Sequence, residues 1–220
     1  MAIPPRLAAM LNMVQQCNTL ADIGTDHAYL PIEACRQNLC QTAIACDINK
    51  GPLEIAKANI AAAGYSNSIA TRLGNGLEPL NKQEADCIVI AGMGGVRIWQ
   101  ILEAHPQKAQ YAKKLILQPQ HNTAELRINL HNAGYDITKE VLVNQDSRFY
   151  VILQATYTGH AYKWDDKDYF IGKHLQSSPL FLEYTKQQKE KIAGYVNAIK
   201  NDNDLKIAKQ RLQWLEDILC

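Results

Sequence analysis

Thr25, Asp26 and His27 stand directly after Asp22-Ile23-Gly24, where an apolar run ends and a helical pattern begins. A single glycine between a strand and a helix lets backbone N–H groups approach a ligand closely. The dinucleotide fingerprint G-x-G-x-x-G is missing here, and an anionic Asp26 would repel a pyrophosphate. The loop therefore suits a ligand that carries positive charge. Asp is also a good N-cap, so Asp26 has a second reading as the cap of the following helix.

Further polar loops follow other apolar runs. Asp47 ends one of them, 25 residues beyond Asp22, where an acid can accept hydrogen bonds from ribose hydroxyls. Together with the Gly24 loop it points to an adenosine-containing ligand. S-adenosylmethionine, with its sulfonium and ammonium, would tolerate or favour Asp26. Asn75, within Gly74-Asn75-Gly76-Leu77, could read an adenine edge with its carbonyl and amide; Asn and Gly also make simple turns. Ala91-Gly92-Met93-Gly94-Gly95 ends a strongly apolar run, and its glycines permit close approach to the backbone. The D/N-P-P-Y/F/W motif of amino-group methyltransferases is absent at this point, which leaves ring nitrogens, oxygens or small molecules as acceptors. Gln118-Pro119-Gln120-His121-Asn122 forms another polar cluster. Cys46 and Cys87 lie in strand-like runs and read as core. The histidines show no metal-ligand spacing, and no metal is expected.

The elements that must position these loops alternate. Thr19–Asp22, Thr42–Ile48, Ile69–Leu73, Asp86–Gly92 and Lys113–Pro119 read as strands separated by helical patterns, among them Leu53, Ala56, Ile60 and Ala63 at helical spacing. Such runs predict a parallel sheet covered on both faces, with ligand loops on its carboxyl edge. Tyr135–Tyr157 reads as two longer strands turning at Asn144–Ser147, an antiparallel hairpin where a dehydrogenase would continue with a helix crossover. That combination predicts a Rossmann-like α/β fold with the seven-stranded sheet of S-adenosylmethionine-dependent methyltransferases. Ile192, Val196 and Ile199, then Leu205, Ala208, Leu212, Leu215 and Leu219, predict two antiparallel helices with a coiled-coil-like seam. The expected division is a methyltransferase domain over 1–159 and a helical domain over 160–220.

With 220 residues, the chain can hold one α/β domain and a small appendage. A net charge of +1 excludes a global basic field, so any RNA affinity must come from local patches. The second region carries 10 Lys and Arg against 9 acids, so charge does not assign it a role. No apolar run approaches the ~20 residues of a membrane span. Six scattered cysteines without a C-x-x-C pair, and no secretory pattern at the start, lead us to expect reduced thiols and a cytoplasmic protein.

Arg6–Val14 (RLAAMLNMV), Asp22–Pro31 (DIGTDHAYLP), Cys46–Ile60 (CDINKGPLEIAKANI), AGMGG, LQP and Asp146–Ile152 (DSRFYVI) resemble the bacterial tRNA (adenine(22)-N1)-methyltransferases. The resemblance runs through nearly the whole chain, including Gly172–Leu182 and the helical tail. It implies S-adenosylmethionine as cofactor, N1 of a tRNA adenine as methyl acceptor, and a C-terminal coiled coil that helps to grip tRNA. Carried over by motif, Asp22, Gly24, Asp26, His27, Asp47, Ile48, Asn75, Gly76, Ala91, Gly92 and Met93 would bind cofactor. Arg6, Gly94, Gly95, Gln118 and Pro119 would meet substrate, and Asp26 would be catalytic beside sulfonium and base. The family usually has Asp where this chain has Asn75. Arg97, Lys113, Lys114, Lys163 and Lys167 are candidate phosphate contacts. A small-molecule methyltransferase and a non-catalytic cofactor-binding scaffold are the rival expectations.

Overall fold

The computed structural model describes residues 3–220. Its elements run α1 (Pro5–Val14), β1 (Cys17–Ile23), α2 (Tyr29–Arg36), β2 (Cys40–Asp47), α3 (Lys50–Ala62), β3 (Ile69–Leu73), β4 (Cys87–Met93), α4 (Gly95–Ala104), α5 (Pro106–Tyr111), β5 (Lys114–Pro119), α6 (Thr123–Asn132), β6 (Tyr135–Gln145), β7 (Arg148–Tyr157) and α7 (Asp166–Ile171). A 3-10 turn (Lys173–Ser177), α8 (Phe181–Tyr195), a second 3-10 turn (Val196–Ala198) and α9 (Asp202–Leu219) complete the chain. The seven strands lie in the order β3-β2-β1-β4-β5-β7-β6. The first five are parallel, and the β6–β7 hairpin closes the sheet antiparallel beside β5. This is the expected Rossmann-like methyltransferase sheet.

The strands read as unbroken apolar runs because both faces are covered. In β4, Ile88 and Ile90 face one core while Cys87 and Val89 face the other; in β5, Leu115 and Leu117 oppose Ile116 in the same way. Residues of α1, α2 and α3, including Leu11, Ile32 and Ile60, cover the second face. Residues of α4 and α6, including Ile98, Leu102, Leu126 and Leu130, cover the first. Period-two alternation sends each strand's neighbours to opposite layers. Among the described residues, no helix is long and apolar enough to cross a membrane.

The helical tail packs back onto the sheet. Ile192, Val196, Ala208 and Leu215 are buried between α8 and α9, and Lys189 meets Glu216 at 3.2 Å. Ile171, Leu175 and Phe181 enter the same core as the sheet. Phe170 faces Trp214 at 6.1 Å between ring centroids, and Tyr184 meets Phe149 edge-on at 5.8 Å. Beneath the junction lies a buried ion pair: Arg127 of α6 donates from Nε to Glu140 Oε1 of β6 at 2.7 Å, both side chains being at most 1% exposed. Arg127 Nη1 donates to the Tyr169 carbonyl at 2.8 Å, and Glu140 Oε2 accepts the His174 N–H at 3.0 Å. Gly172, at φ +95°, clears the guanidinium; a Cβ there would lie 2.5 Å from Arg127 Nη2.

Breaking one half of such a pair strands a buried charge. Glu140→Ala is expected to lower the unfolding free energy by about 3–5 kcal/mol, whereas Arg127→Met combined with Glu140→Leu recovers most of it. Urea denaturation of the two variants beside the parent checks this; a single variant as stable as the parent contradicts it.

Candidate active site at the carboxyl edge

The strand order reverses between β1 and β4, and the helices that follow them leave on opposite faces. Loops that leave such a switch point toward opposite faces flank a crevice that is the usual ligand position in such sheets. Gly24, at φ +79°, sits against Met93: a Cβ at Gly24 would lie 2.3 Å from the Met93 methyl carbon. The N–H groups of Gly24 and Thr25 both donate to the Cys46 carbonyl at 2.9 Å, pinning the loop to β2. Asp22 is buried beneath it. Loss of hydration pushes its carboxyl up to about 6, with the Thr25 hydroxyl opposing and Asp47 reinforcing the rise. Burial pushes the Cys46 thiol up to about 12, and Cys87 is fully enclosed, as core cysteines should be.

Asp26 does not cap the following helix. The cap of α2 is Ala28 in the left-handed region, without a side-chain bond, so that reading is overturned. Asp26 is 74% exposed, and its Oδ2 lies 3.1 Å from His27 Nε2. The His27 ring stacks on Tyr29 at 5.2 Å, and its carbonyl accepts from Asn59 Nδ2 of α3 at 3.0 Å. Tyr29 is 57% exposed, an aromatic surface beside Asp26 that sequence reasoning left unassigned although it sits in the quoted motif.

At the end of β2, Asp47 Oδ1 accepts the Asn49 N–H at 2.7 Å. Ile48 is exposed beside it, as is Leu73, the register partner of Asp47 on β3. A carboxylate flanked by exposed apolar side chains can hold hydroxyls and a flat ring together. Asn75 Oδ1 accepts from Arg97 Nη2 of α4 at 2.8 Å, which leaves the amide to donate. Arg97 thus serves Asn75, and Gly76 packs beneath Ile101 of the same helix.

Gln118 organises the β4 and β5 ends. The β4–β5 register shifts between Ala91 and Met93, and Gly92, at φ +78°, donates its N–H to Gln118 Oε1 at 3.1 Å. Gln118 is fully buried; its Nε2 donates to the Pro119 carbonyl at 3.1 Å. Arg6 Nη1 reaches Gln118 Oε1 at 3.4 Å, the Arg6 N–H donates to Gln145 Oε1 at 3.2 Å, and the guanidinium lies 5.0 Å above the Tyr150 ring. Gly94 and Gly95 face His121 and Asn122, and the Gly95 N–H donates to the His121 carbonyl at 2.8 Å. Lys113 and Lys114 belong to neither loop. Lys114 begins β5 and Lys113 precedes it, at the opposite edge, where Lys114 Nζ donates to the Val14 carbonyl and Lys113 approaches Asp86; parallel strands separate their starts from their ends, so neither lysine lies beside the carboxyl-edge loops.

Pro119 opens into a cleft of about 920 Å³ between residues 119–125, the hairpin residues 148–151 and the helical arm. Arg148, Lys191 and Arg211 bring positive charge to it against Glu125 and Glu190, and Phe149, Tyr150 and Tyr195 bring aromatic faces. Arg148, Phe149 and Tyr150 stand inside DSRFYVI, a signal present in the sequence; Lys191, Tyr195 and Arg211 carried none.

A family model described as a methyltransferase domain matches residues 3–153. The tRNA (adenine(22)-N1)-methyltransferase of Bacillus subtilis (strain 168) is 33% identical over 218 residues, spanning 96% of this chain and 92% of that protein. A Streptococcus pneumoniae structure in complex with S-adenosyl-L-methionine superposes with a TM-score of 0.89 at 32% identity, with both chains covered fully. The M. capricolum TrmK, solved with S-adenosyl-homocysteine, gives a TM-score of 0.87 at 26% identity, again over both whole chains.

The raised Asp22 carboxyl makes stability depend on pH. Its folded value of about 6 exceeds the ordinary Asp value of about 4, so the folded chain holds the extra proton between them. The cost of burying the charge is absent below pH 4, grows as pH rises to 6, and is constant above. Asp22→Asn is expected to gain stability over the parent across that window, reaching about 2–3 kcal/mol at pH 7. Urea unfolding of both proteins from pH 4 to 8 checks this, and parallel profiles would contradict it.

Proposed function

Because the chain belongs to the bacterial tRNA (adenine(22)-N1)-methyltransferase family, we propose that it transfers the methyl group of S-adenosylmethionine to N1 of the adenine at position 22 of tRNA, as a cytoplasmic enzyme. The observation that carries this is the convergence of Gly24, Asp26, Asp47, Asn75 and the Gly92 bulge on the β1/β4 crevice of a chain with that family's motifs. The crevice fits the cofactor. Gly24 leaves only Met93 above the loop, Asp47 and exposed Ile48 suit ribose and adenine, and the Asn75 amide is free to donate. Asp22, Gly24, His27, Gly76, Ala91, Gly92 and Met93 complete that pocket in this reading.

S-adenosylmethionine supplies a methyl carbon activated by a sulfonium. Adenine N1 attacks with its lone pair and needs no prior deprotonation, so the residues have to orient and to stabilise. The product base is cationic, and an acid beside it lowers the barrier. Asp26 fills that role: its carboxylate is exposed at the crevice and held by His27. Its effect on the reacting base strengthens as bound RNA excludes water. Arg6 and Gly94 would meet the base in this reading, with buried Gly95, Gln118 and Pro119 supporting them from beneath and Tyr29 and Tyr150 as ring faces. N1 lies on the pairing edge, so the base must be unpaired or flipped to arrive.

Residues 1–159 are the transferase domain in this reading, and 160–220 the arm that grips tRNA. The aromatic cleft joined to Pro119, in which Arg148, Lys191 and Arg211 outnumber Glu125 and Glu190, supports a nucleic-acid substrate over a small molecule, since aromatic faces stack bases and Arg and Lys neutralise phosphates.

Incubation with labelled S-adenosylmethionine and unmodified tRNA is expected to yield N1-methyladenine at position 22; label at another base, or none with cofactor bound, rejects the assignment. Asp26→Asn should lower kcat by about 100-fold, with a smaller loss of cofactor affinity as one anion beside the sulfonium is removed, and full turnover would remove Asp26 from the mechanism. Arg148→Ala with Arg211→Ala should weaken tRNA binding and flatten its salt dependence by about one unit of slope per lost phosphate contact. An unchanged binding isotherm across a salt series would exclude the cleft.

A further inference from the structure

The amino edge of the sheet, opposite the active site, carries a second cleft of about 540 Å³ with cysteines in its wall. Cys35, at the end of α2, and Cys40, at the start of β2, place their Sγ atoms 3.5 Å apart. The turn between them is fixed by its own backbone: Leu39 N–H donates to the Ala34 carbonyl at 2.8 Å and Asn38 N–H to the Cys35 carbonyl at 3.0 Å, while Cys17 N–H donates to the Leu39 carbonyl at 2.9 Å. Both thiols are free, line the cleft, and are 7% exposed. Neither takes part in binding or methyl transfer.

We propose that Cys35 and Cys40 form a reversible oxidative modification site that closes to a disulfide when the protein meets a hydroperoxide. The sulfurs are in van der Waals contact, and a bond of about 2.05 Å needs about 1.5 Å of further approach. Side-chain rotation and a small shift of the α2 end can supply that movement. The hydrogen bond from Cys40 favours the Cys35 thiolate, which makes Cys35 the attacking sulfur. Its electron pair forms an S–O bond as the peroxide O–O bond breaks, and the departing hydroxide takes a proton to leave as water. The hydrogen bond to Cys35 and burial keep Cys40 a thiol, so it attacks the sulfenic sulfur as its proton passes to the leaving oxygen; the S–S bond forms, the S–O bond breaks, and a second water leaves. Two thiols are oxidised and one hydroperoxide is reduced. The nearby Cys17, the register partner of Cys40 on β1, and Cys87 on β4 are the competing thiols.

The test treats the full chain with hydrogen peroxide, blocks remaining thiols with N-ethylmaleimide, and maps peptides by mass spectrometry with and without dithiothreitol. The expected result is a Cys35–Cys40 cross-link, lighter by two hydrogens and reversed by dithiothreitol, with Cys46 blocked only after denaturation. Cys40→Ser should instead leave a sulfenic acid on Cys35 that dimedone traps. Three results would overturn the proposal: both thiols still blocked by maleimide in the treated folded protein, over-oxidation of Cys35 without a cross-link, or a bond that joins Cys17 to either partner. Circular dichroism of Cys35→Ala and Cys40→Ser keeps a folding defect distinct from lost chemistry.

Discussion

The buried Arg127–Glu140 pair decides how the chain's two regions meet. A guanidinium and a carboxylate removed from water are tolerable only when their remaining hydrogen-bonding groups find partners. The Tyr169 carbonyl and the His174 N–H give each charge one further partner here, Arg127 Nη2 being left without one, and both belong to the segment between the sheet and the arm. The charges in the sheet domain therefore demand that α7 and the 3-10 turn dock at one place. Once docked, they carry Ile171, Leu175 and Phe181 into the sheet's core and set where α8 starts. The cleft beside Pro119 exists because α8 is held there.

A similar economy of polar groups shapes the active-site edge. A bulge at Gly92 frees a backbone N–H that would otherwise be orphaned in the interior. Gln118 accepts it, and the same side chain binds the Pro119 carbonyl and receives Arg6 from the first helix. One buried amide thus ties the ends of β4 and β5 to the first helix. The site as a whole is acidic at Asp22, Asp26 and Asp47, and that suits a cationic cofactor and a cationic product. The cleft next to it is aromatic, with three cationic side chains against two glutamates, which suits the polyanion that would bring the base. The two fields lie side by side, with Pro119 at the border.

Much of this was legible in the residue order. Continuous apolar runs between helical patterns predicted the parallel sheet, because strands buried on both faces have no polar side to show. The hairpin at Tyr135–Tyr157 was legible from two long strands around a polar turn, and the loops after each strand marked the carboxyl edge. The helix break at Asn201 was legible too: that residue caps α9, its side chain accepting the Asp204 N–H at 3.0 Å. Of the two readings of Asp26, the structure removes the helix cap, since helix α2 begins at Tyr29 and takes Ala28 as its cap. That Lys113 and Lys114 lie at the amino edge was not legible, because charge alone does not say which end of a strand a side chain occupies.

By itself, the sequence determined the sheet, the order of its loops, the residue types gathered at its carboxyl edge, and the family to which the chain belongs. These follow from local periodicity and from motifs that each lie within a few residues. Tertiary structure alone decided that Arg97 engages Asn75, that Gln118 joins Gly92 to Arg6, and that Lys191, Tyr195 and Arg211 face Arg148 across a cleft. Those residues are separated by tens of positions, and no short-range pattern encodes which of them meet. Their contacts are set by how packed layers and buried polar groups must be satisfied together.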